Sequence, residues 1–252
     1  MFNARIAAFV LILLVSGHLA ASPGSGQAVF SSGEQRVPLI ELFTSEGCSS
    51  CPPADRWLSG LKGDPGLWKT FVPVAFHVDY WDYIGWEDRF ARTEFGERHR
   101  QYAVEGGARA VYTPGLFRQG QDWQGWRRGQ TPQHDEPVVG DLRLVIDGDE
   151  LAIHFNGGDR GRKALTVHLA VLGMNLETSV RAGENKGRIL RHDFVALDVV
   201  AVPLEKRAAG YTANATLPRA GSQAQDLALV AWVSEDGMQA PIQSVGGYLP
   251  QP

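Results

Sequence analysis

Apolar residues in the first half of the chain occur in short runs separated by Gly-, Pro- and Asp-containing turns, a pattern typical of strands alternating with helices. The runs 37–43 and 71–78 are apolar almost throughout, as expected for strands covered on both faces. Helical spacing of apolar residues predicts helices over 53–62 and 88–104, and 111–117 is predicted to be extended. The first half is therefore expected to have the order β, α, β, α, β.

The second half has a different pattern. Alternating residues at 142–146 and 151–155, separated by Asp147 and Gly148, predict a β-hairpin. Further strands are predicted at 165–172, 211–217 and 227–233. No helical periodicity competes with these strands, so this half is expected to be all-β, in the form of a small sandwich.

These patterns divide the chain into five segments. We expect a signal peptide at 1–22, a flexible leader at 23–36, an α/β domain at 37–130, a polar linker at 131–140 and an all-β domain at 141–252. The net charge of −4, with no basic block, argues against nucleic acid as a partner.

The first residues indicate export. Arg5 precedes the uncharged apolar run 6–15, and the segment 19–22 offers small residues for cleavage, which is the layout of a secretory signal. The run is short for a membrane-spanning helix, which needs about 20 apolar residues, although an uncleaved anchor is the alternative. We therefore expect a periplasmic or secreted protein without stable membrane insertion after signal cleavage.

The pair Cys48 and Cys51 is the main candidate for chemistry, and these are the only cysteines in the chain. They follow a predicted strand and precede a predicted helix, where backbone N–H groups and the helix dipole favour a thiolate. Because thiolates attack disulfides, the spacing predicts a redox pair, with Cys48 as the exposed nucleophile and Cys51 as the resolving thiol. A static disulfide or metal ligation are the alternatives.

Three long segments resemble one family. Residues 41–55, 75–86 and 183–192 are similar, in that order, to the secreted bacterial thioredoxin-like family catalogued as domain-of-unknown-function family 1223. The resemblance implies an α/β thioredoxin-like domain followed by a small all-β, sandwich-like domain. It also implies that Pro114, preceded by Thr113, is the cis-proline that packs beside the dithiol in the thioredoxin-like superfamily and is part of the catalytic site with Cys48 and Cys51. A simple turn proline is the alternative.

Several residues near the predicted strand end at 78 are candidates for substrate binding. The predicted set consists of His77, Asp79, Tyr80, Trp81, Trp86 and Thr113. Aromatic side chains offer large contact area and the acid adds polar specificity. Alternatively, residues 79–86, here called the aromatic loop, cap the sheet, and His77 is a hydrogen-bonded structural histidine rather than a proton acceptor or copper ligand.

The segment 183–192 carries Glu184, Asn185, Arg188, Arg191 and His192. It is either a charged strand with a glycine turn or a segment that docks against the aromatic loop across the domain interface.

Taken together, the sequence predicts an exported thiol–disulfide oxidoreductase that acts on protein thiols or disulfides, or with an unidentified redox partner, without a cofactor. The alternatives are a periplasmic binding module with a structural disulfide and, third, a copper carrier that uses Cys48, Cys51 and His77.

Overall fold

The computed structural model describes residues 27–133, 137–157, 164–221 and 226–250. The predicted signal peptide at 1–22 lies outside these ranges. The helices are α1 (Pro52–Gly60) and α2 (Thr93–Val104), with 3-10 helices at Leu61–Gly63, Asp82–Ile84 and Gly125–Arg128. The strands of the first half are β1 (Ala28–Ser31), β2 (Leu39–Thr44), β3 (Val72–His77), β4 (Gly115–Arg118) and β5 (Gln121–Asp122). The strands of the second half are β6 (Asp141–Asp147), β7 (Glu150–Asn156), β8 (Leu165–Gly173), β9 (Leu176–Ser179), β10 (Ile189–His192), β11 (Val195–Arg207), β12 (Gly210–Thr216), β13 (Leu227–Glu235) and β14 (Pro241–Tyr248).

Strand β11 joins the two halves of the chain. Its first residue, Val195, pairs in parallel with Ala75 of β3. Most of β11 pairs antiparallel with β8, and its last three residues pair with β12. Among the described residues, twelve strands thereby form one sheet, and β9 and β10 pair separately.

The predicted fold class is wrong. In the described part of the chain the fold is mainly β, with a large mixed sheet and only two α-helices, rather than an α/β thioredoxin-like domain followed by a small all-β domain. The first half supplies the parallel pair β2–β3 and the short strands β4 and β5. The sheet does not end at β3, because β11 from the second half continues it.

Strands β8 and β13 lie between two hydrophobic cores. On one face, Ala170 and Trp232 pack with residues of β2, β3 and the helices. On the other face, Leu169 and Val233 pack with residues of β6, β7 and β12. A strand covered on both faces needs apolar residues at consecutive positions, and this explains the apolar run at 227–233.

Helix α2 begins at Thr93, five residues after the predicted start at 88. The carboxylate of Asp88 accepts hydrogen bonds from the backbone N–H groups of Phe90 and Glu46. An aspartate that binds the N–H two residues later stabilises a turn instead of a helix. The segment 88–92 is therefore a turn that ties the start of α2 to the loop after β2.

Strand β1 lies inside the segment predicted to be a flexible leader, 23–36. It pairs antiparallel with β6, with Ala28 opposite Ile146 and Ser31 opposite Arg143. The division of the chain at 131–140 stays a prediction, and residues 134–136 of that segment lie outside the described ranges.

Within the described ranges, neither α-helix combines the length and the apolar character that crossing a membrane requires.

A buried ion pair connects α2 to β2. The guanidinium Nε of Arg98 lies 2.6 Å from a carboxylate oxygen of Glu41, and both side chains are buried. The hydroxyl of Tyr102 donates to the other oxygen of Glu41 at 2.5 Å and accepts from Arg98 Nη2 at 2.8 Å. Each charge therefore has hydrogen-bonding partners, which a buried ion pair needs to be tolerated.

We expect Arg98→Met to lower the free energy of unfolding by about 3–5 kcal/mol, because Glu41 is left buried without its cation. The double variant Glu41→Leu/Arg98→Met should recover most of that loss, since no charge is then buried. Urea unfolding measures both values, and Arg109→Met, at an exposed arginine, is the control. Equal stability of Arg98→Met and the wild type would contradict this account of the pair.

Candidate functional site

The two cysteines form a disulfide between the end of β2 and the start of α1. Residues 48–51 are called the cysteine turn below. The Cys48 N–H donates to the Ser45 carbonyl at 3.1 Å, and the Cys51 N–H donates to the Cys48 carbonyl at 3.2 Å, which closes the turn. Cys48 is 2% exposed and Cys51 is fully buried, whereas Ser49 and Ser50 between them are exposed. In the disulfide form, Cys48 is thus more enclosed than an exposed nucleophile would be.

The helix start offers fewer N–H groups than its position suggests. Cys51 is the N-cap of α1, and Pro52 and Pro53 occupy the first helical positions. Proline has no N–H, so two of the usual free donors are missing. The N–H groups of Ala54 and Asp55 donate to the Cys51 carbonyl. Stabilisation of a thiolate by helix N–H groups is therefore limited here.

The loop before β4 lies against the cysteine turn. The peptide bond between Thr113 and Pro114 is cis, as predicted. The Ser50 hydroxyl lies 3.5 Å from the Thr113 carbonyl oxygen, and the Trp81 indole N–H donates to the Thr113 hydroxyl at 2.6 Å. The structure thus brings together the cysteine turn, Thr113, Pro114 and Trp81. A catalytic role for Pro114 stays a prediction.

The side chains of the aromatic loop contact two different parts of the structure. Trp81 packs close to Gly47, where a Cβ atom would meet Trp81 Cβ at 3.3 Å, and the Trp86 indole N–H donates to Glu46 at 2.8 Å. These two aromatic residues therefore lie beside the cysteine turn.

Asp79 and Tyr80 make their contacts with α2 instead. Asp79 accepts a hydrogen bond from Thr93 at 2.7 Å, and the Tyr80 hydroxyl lies 3.0 Å from His99 Nδ1. Substrate contact by these residues and by Trp81, Trp86 and Thr113 stays a prediction.

His77 is buried and paired. Its Nδ1 lies 2.6 Å from an Asp88 carboxylate oxygen, and neither side chain is exposed. Burial by itself would lower the pKa of His77, but the charge and hydrogen bond of Asp88, together with the charges of Asp55 and Glu46, raise it overall. Burial would likewise raise the pKa of Asp88, but His77 lowers it. This pairing favours the structural role of His77 over direct substrate contact.

A cluster of buried ionisable groups lies beneath the cysteine turn. The rings of His77 and His192 are 4.8 Å apart, and His192 Nε2 is 3.3 Å from Glu46 Oε1. Burial would raise the pKa of Glu46, but hydrogen bonds, chiefly from His192, lower it overall. The residues come from β3, β10 and the loop after β2, so the cluster needs both halves of the chain.

Asp55 extends this cluster toward the disulfide. It lies one helical turn after Cys51, on the same face of α1, and it is buried. Burial raises its pKa, and His192 and His77 oppose that rise only in part. Asp55 and His192 also line a cavity of about 310 Å³ between α1 and β10. An ionisable carboxyl group whose pKa is raised by burial therefore lies one helical turn from Cys51.

Sequence reasoning did not single out Glu46, Asp55 or Asp88. Glu46 and Asp55 lie inside the family-like segment 41–55, and Asp88 follows the aromatic loop, but no spacing rule links them to His192. Their burial together depends on long-range pairing of the two halves.

The loop between β9 and β10 covers the cysteine turn. The buried Asn185 amide donates to the carbonyl oxygens of Glu46 at 2.8 Å and Cys48 at 3.0 Å. A carboxylate oxygen of Glu184 accepts from the Ser49 N–H at 3.0 Å. Gly183 lies against Trp86, where a Cβ atom would be 3.1 Å from Trp86 Cβ. The segment thus docks on the aromatic loop and on the turn itself.

Metal ligation has no support in the geometry. Within the part of the chain that the structure describes, no group of three or more His, Cys, Asp or Glu side chains is arranged to hold a metal ion.

Comparison with known proteins places the chain in a family. It belongs to the family described as "Protein of unknown function (DUF1223)", whose pattern matches residues 39–234. No curated protein matches the chain.

Two solved structures are similar in fold. Protein AGR_C_4864 from Agrobacterium tumefaciens is 24% identical, with a TM-score of 0.59 over 87% of this chain and 96% of that chain. HBP35 of Porphyromonas gingivalis is 13% identical, with a TM-score of 0.56 over 88% of this chain and 78% of that chain. At these identities the likeness concerns the fold alone.

We expect Asp55→Asn to stabilise the protein at pH 8 by about 1–3 kcal/mol, because burial of the charged carboxylate is compensated only in part by His192 and His77. Because the pKa of Asp55 is raised on folding, its protonation stabilises the fold at low pH. That contribution is lost as the pH rises through the folded-state pKa. The gain of the variant should therefore shrink toward zero near pH 4.

Urea unfolding at pH 4 and pH 8 measures this difference, and Asp147→Asn, at an exposed carboxylate, is the matched control. A variant that is less stable than the wild type at pH 8 would show that the Asp55 carboxylate is favourable when charged.

Proposed function

We propose that this protein is a thiol–disulfide oxidoreductase that acts through Cys48 and Cys51. The observation that carries the proposal is the disulfide between two cysteines three residues apart, in the turn that leads from β2 into α1. Cysteines in this arrangement can alternate between disulfide and dithiol without rearranging the strand and the helix that hold them.

A purely structural role explains the disulfide less well. A bond that closes so short a loop removes little entropy from the unfolded chain, so it stabilises the fold only weakly. The turn is already closed by the backbone hydrogen bonds of Cys48 and Cys51 and by the Asn185 amide.

The surroundings of the turn suit a protein partner. Ser49 and Ser50 are exposed, and Thr113, Trp81 and Trp86 flank them. Aromatic side chains beside exposed backbone offer contact area for an extended peptide. Because Cys48 is only 2% exposed, a partner must shift the contacts that cover its sulfur. Partner thiols or disulfides of proteins are the proposed substrates, with no cofactor.

The exchange proceeds in two balanced steps. A partner thiolate attacks the Cys48 sulfur, the Cys48–Cys51 bond breaks, and its electron pair goes to the Cys51 sulfur, which takes up a proton. A second partner thiolate then attacks the partner sulfur of the mixed disulfide, and Cys48 leaves as a thiolate that takes up a proton. The partner dithiol is oxidised to a disulfide, and the cysteine pair is reduced. The reverse sequence reduces a partner disulfide.

Export is part of the proposal. The signal-like residues 1–22 indicate an oxidising compartment, the periplasm or the exterior, where protein disulfides are available as substrates.

A binding module with a structural disulfide is the second candidate. The observation that favours it is the enclosure of both sulfurs, together with the docking of Glu184 and Asn185 on the turn. In that case, the cysteines stiffen the turn, and the aromatic loop recognises a ligand.

We expect Cys51→Ser to accumulate mixed disulfides with partner proteins through Cys48, because the resolving thiol is missing. Cys48→Ser should form none. The wild type should reduce insulin disulfides in the presence of dithiothreitol, and Cys48→Ser should not. Non-reducing electrophoresis and insulin turbidity are the measurements.

The two single variants control for each other, since each removes one sulfur from the same turn. If Cys51→Ser traps nothing and the wild type reduces no insulin, the cysteines do not exchange, and the structural disulfide becomes the better account.

A further inference from the structure

A carboxylate from the second half of the chain is bound directly to the cysteine turn. Glu184 Oε2 accepts from the N–H of Ser49, the residue immediately after Cys48, at 3.0 Å. The carboxylate is exposed, and hydrogen bonds from Ser49 lower the pKa of Glu184, so it is charged at neutral pH. A negatively charged carboxylate is therefore bound to the backbone N–H of the residue that follows Cys48.

Few backbone N–H groups near the turn are free to stabilise a thiolate at Cys48 against this negative charge. The turn uses the N–H of Cys51 internally, and residues 52–53 are prolines. The N–H groups of Ala54 and Asp55 donate to the Cys51 carbonyl. A Cys48 thiolate would thus depend on the Ser50 hydroxyl, which lies 3.3 Å from the Cys48 sulfur, and on the N–H groups of residues 49–50. Glu184 binds the first of these N–H groups.

Glu184 is held in place by its own loop. The loop is closed by hydrogen bonds from the Val180 N–H to the Arg188 carbonyl and from the Gly187 N–H to the Val180 carbonyl. The neighbouring Asn185 is buried and fixed to the carbonyl oxygens of Glu46 and Cys48. The carboxylate position is therefore built into the docked loop.

Other charged groups near the turn have their own partners. The Arg188 guanidinium donates to the Asn185 side chain at 2.9 Å, and Glu46 binds Trp86 and His192. Burial raises the pKa of Asp55, against the opposing effect of His192 and His77, and Asp55 lies in the buried cluster rather than on the exposed side of the turn. Glu184 is thus the charge that contacts the turn itself.

We propose that Glu184 is a positioning residue of the dithiol: its carboxylate occupies the Ser49 N–H and disfavours negative charge on the Cys48 sulfur. The inference rests on the proposed exchange function and adds its direction. A pair whose thiolate is stabilised is a strong oxidant, because its reduced form is favoured. Here the Glu184 carboxylate disfavours the Cys48 thiolate instead, so the disulfide form is favoured. The reduced protein therefore acts as a reductant of partner disulfides.

The test is Glu184→Gln, which keeps a hydrogen-bond acceptor and removes the charge. In a Cys51→Ser background only Cys48 titrates, and the pH dependence of its alkylation by iodoacetamide gives the acid dissociation constant of the thiol. We expect Glu184→Gln to raise that constant about three- to sixfold, the effect of one unit charge roughly 4–6 Å away in water. High salt should reproduce part of the change by screening.

Glu177→Gln is the matched control, because Glu177 is an exposed carboxylate on β9 of the same hairpin and pairs with Arg191. It should leave the constant unchanged. An unchanged constant in Glu184→Gln, or equal changes in both variants, overturns the inference.

The redox readout uses both cysteines. Equilibration with dithiothreitol at pH 9 should show that Glu184→Gln shifts the equilibrium toward the dithiol by a similar factor. A shift toward the disulfide would contradict the inference.

The thiol titration needs no partner protein. It stays interpretable if no mixed disulfide is ever trapped, so failure of the inference and failure of the exchange function are distinguishable. If Cys51→Ser does not fold, thiolate absorbance of the reduced two-cysteine protein gives the same comparison of Glu184→Gln with Glu177→Gln.

Discussion

The side-chain amide of Asn185 is the contact on which the arrangement of the site depends. It binds the carbonyl oxygens of Glu46 and Cys48, and thereby fixes the loop between β9 and β10 on the cysteine turn. The same docking carries Glu184 to the Ser49 N–H and accompanies the approach of His192 to Glu46. The site is therefore not a property of the first half alone, because the second half supplies part of its charge.

Local features were predictable from the sequence because they depend on neighbouring residues. The apolar runs predict β2 and β3, the Asp147–Gly148 turn predicts the hairpin of β6 and β7, and the cysteine spacing predicts the disulfide turn. The family-like segment 183–192 pointed to the docked loop without assigning it a partner. In the strands, the hairpin and the disulfide turn, the interacting residues are close together in the sequence.

The fold class was not predictable in the same way. Strand β11 contains Asp198, Pro203 and several charged residues, so its pattern does not stand out as a strand, yet it joins β3 to β8 and β12. The buried pairs of Glu46 with His192 and of His77 with Asp88 also depend on loops and strands whose approach no periodicity encodes. Burial of such ionisable groups is tolerated only where the fold brings their partners within the distance of an ion pair or a hydrogen bond.

The reduction potential of the Cys48–Cys51 pair, measured by equilibration of the protein with glutathione and dithiothreitol buffers, tests the proposed exchange most directly. We expect a value between about −270 and −200 mV, the range of dithiols that exchange with proteins as reductants. A value well below about −300 mV, typical of structural disulfides, would contradict it and favour the binding module.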